Sequence, residues 1–348
     1  MTQTPTPRDP VVLAQAQNIV RGVYRGLLGR DPEPAGLDYW SGVIVDSGDA
    51  GRVLNAITAS DEFKALSAPL ARRDAVKAAL AEHARTALAA RPLAIVDVGA
   101  QELEGEQHVY AALDAHGLPN RIIGFEPLAD KLDESQRRNP RITLYPTFIG
   151  DGASHTFHIN NFDATSSLLP LNRALTADLV DLSNLATVST EPVATSTLDA
   201  VLADTPYVDF LKLDIQGFEL AALQHAGSLL SRTNVVHCEV SFAEIYQGQA
   251  LFSEVETLLR GHGFYFLDFS SSTRYPYHCV SGNTSRDRLG WGDAVFFRRP
   301  ELLATQDDLL AQVLIAQFVY DKPSLAEFLA ERHTAAGASL AALFGTSA

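Results

Sequence analysis

Three short runs each place an acidic residue beside a turn: VDVGA at 96–100, GFEP at 124–127 and KLDIQG at 212–217. In an open α/β sheet, ligands bind in the crevice outside the carboxyl ends of the strands. Gly99, with Ala100 behind it, lets backbone come close to a ligand, and Asp97 is placed to receive a ligand's ammonium. Glu126, ending the next strand, suits the hydroxyls of a ribose. Asp151, in the turn IGDG, is placed to read an adenine amino group. A dinucleotide site would want G-x-G-x-x-G, whereas the chain has GAQELEG. With no pyrophosphate cradle, an adenosyl ligand without phosphates fits better than NAD.

Asp214 and Glu239 form the second pair. If the strands VDFLKLD and NVVHCEV are neighbours, both carboxylates reach one crevice. They would then act as a general base, as an anchor for a substrate hydroxyl, or as oxygen ligands of a divalent cation. Each acid also has a plainer use: Asp97 and Asp151 in tight turns, Glu126 at an exposed strand end, Asp214 capping a helix that begins near Gln216. His237 in its strand and His225 on a helix suit packing. His108 and His155 lie near the ligand loops, and no H-x-x-x-H spacing is present.

The elements that must hold these residues follow from the pattern. From residue 92, apolar runs alternate with amphipathic stretches: LAIVDV, a helix near 105–116, RIIGF, a helix near 128–138, ITLYPTFI, VDFLKLD, NVVHCEV, FYFLDF and DAVFFRR. Such alternation predicts a parallel sheet covered on both faces. The Ser/Thr/Arg/Tyr-rich stretch SSSTRYPYHCVSGNTSRDRLGWGD reads as a long acceptor-binding loop, with Trp291 placed to stack on a sugar. Ser324 and Glu327 read as a capping box opening a helix through Arg332.

The ordered series VDVGA, FEP, GDG, SSLL, TLD, VDFLKLDIQGFEL and EV, over residues 94–240, resembles the FkbM family of methyltransferases. Its lysine–apolar–aspartate–x–x–glycine–x–glutamate stretch falls on Lys212, Asp214, Gly217 and Glu219. The resemblance implies a seven-stranded Rossmann-like sheet with an antiparallel last strand, S-adenosylmethionine (SAM) as cofactor, and O-methylation of a hydroxyl. Two positions depart from the pattern. Gln101 and Leu103 stand where the family loop has Asn and Gly, with Gly105 following later. Gln216 stands where the family often has Glu, which removes one negative charge beside the site.

Residues 1–90 read as all-α: a loose proline-containing arm, a helix from Val11 ended by Gly29, a break at Pro32 and Pro34, short helices, one of them opened by Ser60 with Asp61 and Glu62 in its first turn, then a long Ala/Leu-rich helix over 70–90. The stretch VYRGLLGRDPEPAGLDYWSGV resembles a domain of unknown function found in bacterial surface and glycan-related proteins. Leu27, Leu28, Leu37, Tyr39 and Trp40 form its expected mini-core, and Asp31, Glu33 and Asp38 a solvated acidic turn. Three regions result: a helical targeting or interaction module at 1–90, a methyltransferase domain at 91–300 and a helical extension at 301–348.

The 348 residues carry a net charge of −15, which disfavours nucleic acid and anionic lipid as partners. Two cysteines, no signal-peptide pattern and no long apolar run point to a cytoplasmic protein without membrane insertion. The expected acceptor is a hydroxyl on a saccharide or glycan, with a partner for the module. The competing expectations are a small-metabolite O-methyltransferase and a non-catalytic scaffold with a degenerate Rossmann domain.

Overall fold

The computed structural model describes residues 9–100, 107–127, 137, 142–333 and 340–345. The expected loop residues Gln101, Leu103 and Gly105 lie outside these, as does the expected helix at 128–138 apart from Arg137. The chain divides into two compact units after Ala78.

In the first unit, α1 (Pro10–Leu28) starts with proline at its first turn and Asp9 accepting from the Val11 amide at 2.8 Å. It stops where Gly29 turns left-handed, at φ 66°. Pro34 opens α2 (Pro34–Ser47), and α3 (Gly51–Ala59) follows. Ala16, Val20, Tyr24, Ile44, Val53 and Ile57 make the core, with Leu27, Leu28, Leu37 and Trp40 packed against it. Tyr39 departs from the expected mini-core: it is 63% exposed. The acidic turn is ion-paired, Asp31 to Arg25 at 2.7 Å and Glu33 to Arg30 at 2.7 Å. The two helices expected over 61–90 are one, α4 (Asp61–Ala87), which runs through Pro69. Ser60 accepts from the Phe63 amide at its start, as a cap should.

The second unit is built on a seven-stranded sheet. Its strands are β1 (Leu93–Val98), β2 (Asn120–Phe125), β3 (Ile142–Tyr145), β7 (Val208–Leu213), β8 (Thr233–Ser241), β9 (Phe264–Tyr275) and β10 (Arg288–Arg298). Their order is β3-β2-β1-β7-β8-β10-β9, with β10 antiparallel to both its neighbours. This is the doubly wound sheet with an antiparallel last strand that the sequence led us to expect. Every residue of β1 is buried, because helices and loops cover both faces. The order reverses between β1 and β7, so the crevice opens above that pair.

Four local expectations change. ITLYPTFI splits at Pro146, which cannot donate to a ladder; β4 (Phe148–Ile149) leaves for a small sheet with β5 (Ser154–Asn160) and β6 (Thr187–Ser196). β5 and β6 are Ser/Thr-rich and lack the apolar runs that reveal the other strands. The supposed long loop is mostly β-hairpin, because β9 runs on to Tyr275 and β10 begins at Arg288; only 276–287 connect them. The last long helix begins with Pro323 at its first position and Lys322 before it, so Ser324 is inside the helix and no capping box forms. Its predecessor, Gln306–Leu314, has the capping box instead, between Thr305 and Asp308.

The end of the sheet opposite the crevice is fastened by ions. Asp209, fully buried on β7, accepts from the Ala94 amide at 2.9 Å, from Arg91 at 3.1 Å and from Asn234 at 2.9 Å. Arg91 also reaches Asp308 at 2.7 Å, on the helix Gln306–Leu314. That helix and the turn after it bury Leu309, Leu310, Val313, Leu314 and Ile315. The C-terminal helices therefore pack into the core of the second unit. A fragment of residues 79–348 should melt as one cooperative unit, followed by circular dichroism. A fragment of 91–300, which lacks Asp308 and this apolar stretch, should be insoluble or molten. Equal, cooperative melting of the two would refute this boundary.

Candidate active site

Above the β1–β7 reversal lies a cleft of about 820 Å³, counting its open mouth. The ends of three parallel strands supply its floor: Gly99 after β1, Glu126 after β2, and Asp214 with Gln216 after β7. Phe148 and Phe157 from the small sheet form one wall, and the segment Asp163–Leu168 another. Glu126 is 4% exposed at the lip.

Two loops meet here at very short range. Gly99 takes φ 82°, and its amide and that of Ala100 both donate to the Phe125 carbonyl at 3.1 Å. A Cβ on Gly99 would lie 1.9 Å from the Asp214 carbonyl oxygen. Glycine is required here for both reasons.

Asp97 lies just beneath this turn, fully buried and outside the cleft lining. Its carboxylate takes the Lys212 ammonium at 3.2 Å, the Tyr110 hydroxyl at 2.8 Å and His108 Nδ1 at 3.2 Å. The ammonium that Asp97 meets is thus the chain's own. Burial opposes its charge, but Lys212 and the hydrogen bonds from His108 and Tyr110 outweigh it and hold the carboxyl down at about 2. Lys212 in turn stays charged despite burial, because Asp97 and Asp214 face it. The lysine also donates to the Gly99 carbonyl at 3.4 Å, so one side chain ties β7 to the β1 loop.

Asp214, Glu219 and Glu239 bring carboxylate oxygens within 4.8 Å of one another. Asp214 does not cap the following helix, which begins only at Glu219. Glu219 closes the loop instead, accepting from the Ile215 amide at 2.8 Å and the Gly217 amide at 3.0 Å. That explains the glycine and glutamate of the KLDIQGFE stretch. Gly217 has φ 100°, and a side chain there would press on Tyr246 and Gln249. With one lysine facing three acids, burial and then mutual repulsion push the Glu239 carboxyl well up, and burial takes Glu219 to about 7. Asp214 is the member of the trio that lines the cleft. The geometry can thus serve as a proton acceptor at the cleft, or as an oxygen cage for a hard cation.

The remaining sequence candidates lie apart from the cleft. Asp151 closes its own turn, accepting from the Ala153 amide at 2.9 Å and pairing with His155 at 2.8 Å. His237 contacts the Tyr320 hydroxyl at 3.0 Å and lies 3.7 Å from Asp293. His225 sits on its helix and bonds the Ala221 carbonyl. Trp291 is on β10, packed beside Tyr246 and Tyr275, with its indole N–H donated to the Tyr275 hydroxyl at 2.8 Å. It is therefore a packing residue and not the exposed sugar platform expected. Sequence reasoning missed Asp163 and Tyr246, which come from irregular segments that no periodicity marks, and reached Ser167 only as part of the SSLL motif.

Among the described residues, no helix is long and apolar enough to cross a membrane. A family model for the FkbM methyltransferase domain matches residues 97–266, and one for a domain of unknown function, DUF4214, matches 14–67. No curated protein matches the chain. Among solved structures, a TehB-like SAM-dependent methyltransferase from Corynebacterium glutamicum is 13% identical over 64% of this chain and 88% of its own, with a TM-score of 0.28. A DUF574 family protein from Streptomyces avermitilis is 15% identical, covering 80% and 97%, with a TM-score of 0.32. A plantazolicin methyltransferase in complex with SAH is 8% identical, covering 82% and 98%, with a TM-score of 0.28. These likenesses are distant, and the fold follows from the strand order itself. By its domain content, this chain is a SAM-dependent methyltransferase whose catalytic domain is of the FkbM family, preceded by a DUF4214 module.

Proposed function

We propose that the protein methylates a hydroxyl of a neutral, polyhydroxylated acceptor, a saccharide or glycan, with Asp214 taking the hydroxyl proton. The observation that carries this reading is the position of Asp214. It is the acid of the three-carboxylate cluster that reaches the cleft, at the carboxyl end of β7 beside Gly99.

The residues suit SAM. Its phosphate-free adenosyl group matches a cleft with no lysine or arginine among its described lining residues. Gly99 offers close backbone approach, with the buried Ala100 behind it, and the buried Glu126 carboxylate in the cleft lining offers acceptors for a ribose diol. Asp97 stands behind them, fixing the turn through Lys212. Bound there, the cofactor supplies an electrophilic methyl group to an in-line displacement.

The protein's part is positioning and proton removal. A sugar hydroxyl is barely acidic, so its oxygen becomes a nucleophile only as a base receives its proton. The Asp214 carboxylate accepts that proton as the new O–CH₃ bond forms, leaving the methyl ether and S-adenosylhomocysteine. Asp163 and Ser166, which also line the cleft, add an acceptor and a hydroxyl for the remaining sugar hydroxyls. Among the described lining residues there is likewise no cation to hold a phosphorylated acceptor.

Two variants test the assignment. Asp214→Asn should keep its affinity for S-adenosylhomocysteine in calorimetry, while turnover on a hydroxylated acceptor falls by about 10²–10⁴-fold, as for a lost general base. Normal turnover in this variant would end the catalytic role of Asp214. Glu126→Ala should weaken S-adenosylhomocysteine binding by about 1–3 kcal/mol, the range for lost hydrogen bonds to a charged group. Unchanged affinity in a folded variant would remove Glu126 from the ribose position.

A further inference from the structure

Gln216 is held more firmly than a loop residue needs to be. Its φ is 54°, one of two non-glycine residues with left-handed backbone among the described residues. Glycine would accept that conformation without strain, so a long side chain is kept there against a backbone preference. Ser167 donates to its carbonyl at 2.6 Å, and the Tyr246 hydroxyl meets its side-chain Oε1 at 2.9 Å. The Nε2 atom then faces two carboxylates, Asp214 Oδ1 at 2.9 Å and Glu239 Oε2 at 3.2 Å. The reverse orientation of the amide would set its oxygen against the Asp214 carboxylate, which favours the orientation seen.

A carboxamide bearing two N–H donors thus stands between two carboxylates, where a divalent cation would otherwise bridge them. We propose that Gln216 is the positioning residue of the site: its amide takes the place of a bridging metal, holding Asp214 against Glu239 and keeping hard cations out. The inference deepens the reading of Asp214 as the proton acceptor, because it makes that acceptor work without a metal. It also rules on the three-carboxylate cluster. Asp214, Glu219 and Glu239 have the oxygen donors for a cation, and Gln216 is what prevents them from closing around one.

The test uses the full chain and Mn²⁺ alone, read by electron paramagnetic resonance, with no acceptor or cofactor. It therefore stands or falls separately from the methyl-transfer reading. Surface acids will also hold Mn²⁺ weakly, so only binding that disappears on Asp214→Asn is counted. The wild-type chain should show no such binding up to about millimolar Mn²⁺, the weak end for carboxylate sites. Gln216→Glu keeps length and backbone strain but removes both N–H donors and adds a carboxylate. It should gain an Asp214-dependent site at least about tenfold tighter, in the direction set by ligand charge. If that variant does not fold, Gln216→Gly, which suits the left-handed backbone, should gain a weaker site for the same reason. Micromolar, Asp214-dependent Mn²⁺ binding by the wild-type chain would overturn the proposal. So would folded Gln216 variants that bind no better than wild type.

Discussion

Everything at this site depends on one buried ion pair. Lys212 and Asp97 occupy facing positions on β7 and β1, in register across the crevice. Burying two charges is costly, and the pair persists because Tyr110, His108 and the Gly99 carbonyl satisfy what the lysine and aspartate leave over. Removing either partner would strand the other charge inside the sheet, at a cost of about 3–5 kcal/mol. More than stability would be lost. The pair sets the height of the Gly99 turn and fixes where the Asp214 carbonyl meets it.

From that contact the chemistry is layered. The ion pair supports the turn, the turn brings Gly99 against the Asp214 loop, and Glu219 folds back to close that loop from behind. Lys212 lies 3.9 Å from Asp214, so the lysine that anchors Asp97 also lends positive charge to the proposed base. Glu219 and Glu239 have no such cation of their own. Burial and their neighbours' charges raise their carboxyls. The opposite end of β7 is fastened independently by Asp209 and Arg91. A strand held at both ends is a firm mount for residues that must be placed within a fraction of an ångström.

Much of this was legible in the residues. Continuous apolar runs gave away β1, β2, β7 and β8, because strands buried on both faces must read that way. Asp97, Gly99, Glu126 and Asp214 stood out as chemistry at strand ends. Their partnerships did not. That Lys212 meets Asp97, 115 positions earlier, depends on strand register, which no local pattern encodes. Trp291 looked like a loop aromatic because the Ser- and Arg-rich stretch around it resembles a loop. Its place on β10 is decided by pairing with β8 and β9 and by Tyr275 accepting its N–H. β5 and β6 were invisible because Ser, Thr and His alternate there with few apolar residues. Gln216 was visible only as a lost charge; its role needs the positions of Glu239 and Tyr246, which come from other parts of the chain.

The proposed chemistry requires an adenosyl cofactor to lie across the β1–β7 reversal with its reactive end toward Asp214. A crystal structure of the full chain with S-adenosylhomocysteine tests it most directly. Ribose hydroxyls should lie within hydrogen-bond distance of Glu126, the ligand backbone over Gly99, and the sulfur toward the Asp214–Gln216 corner. Density for the ligand elsewhere, or a ribose that does not touch Glu126 with the sulfur turned away from Asp214, would contradict it.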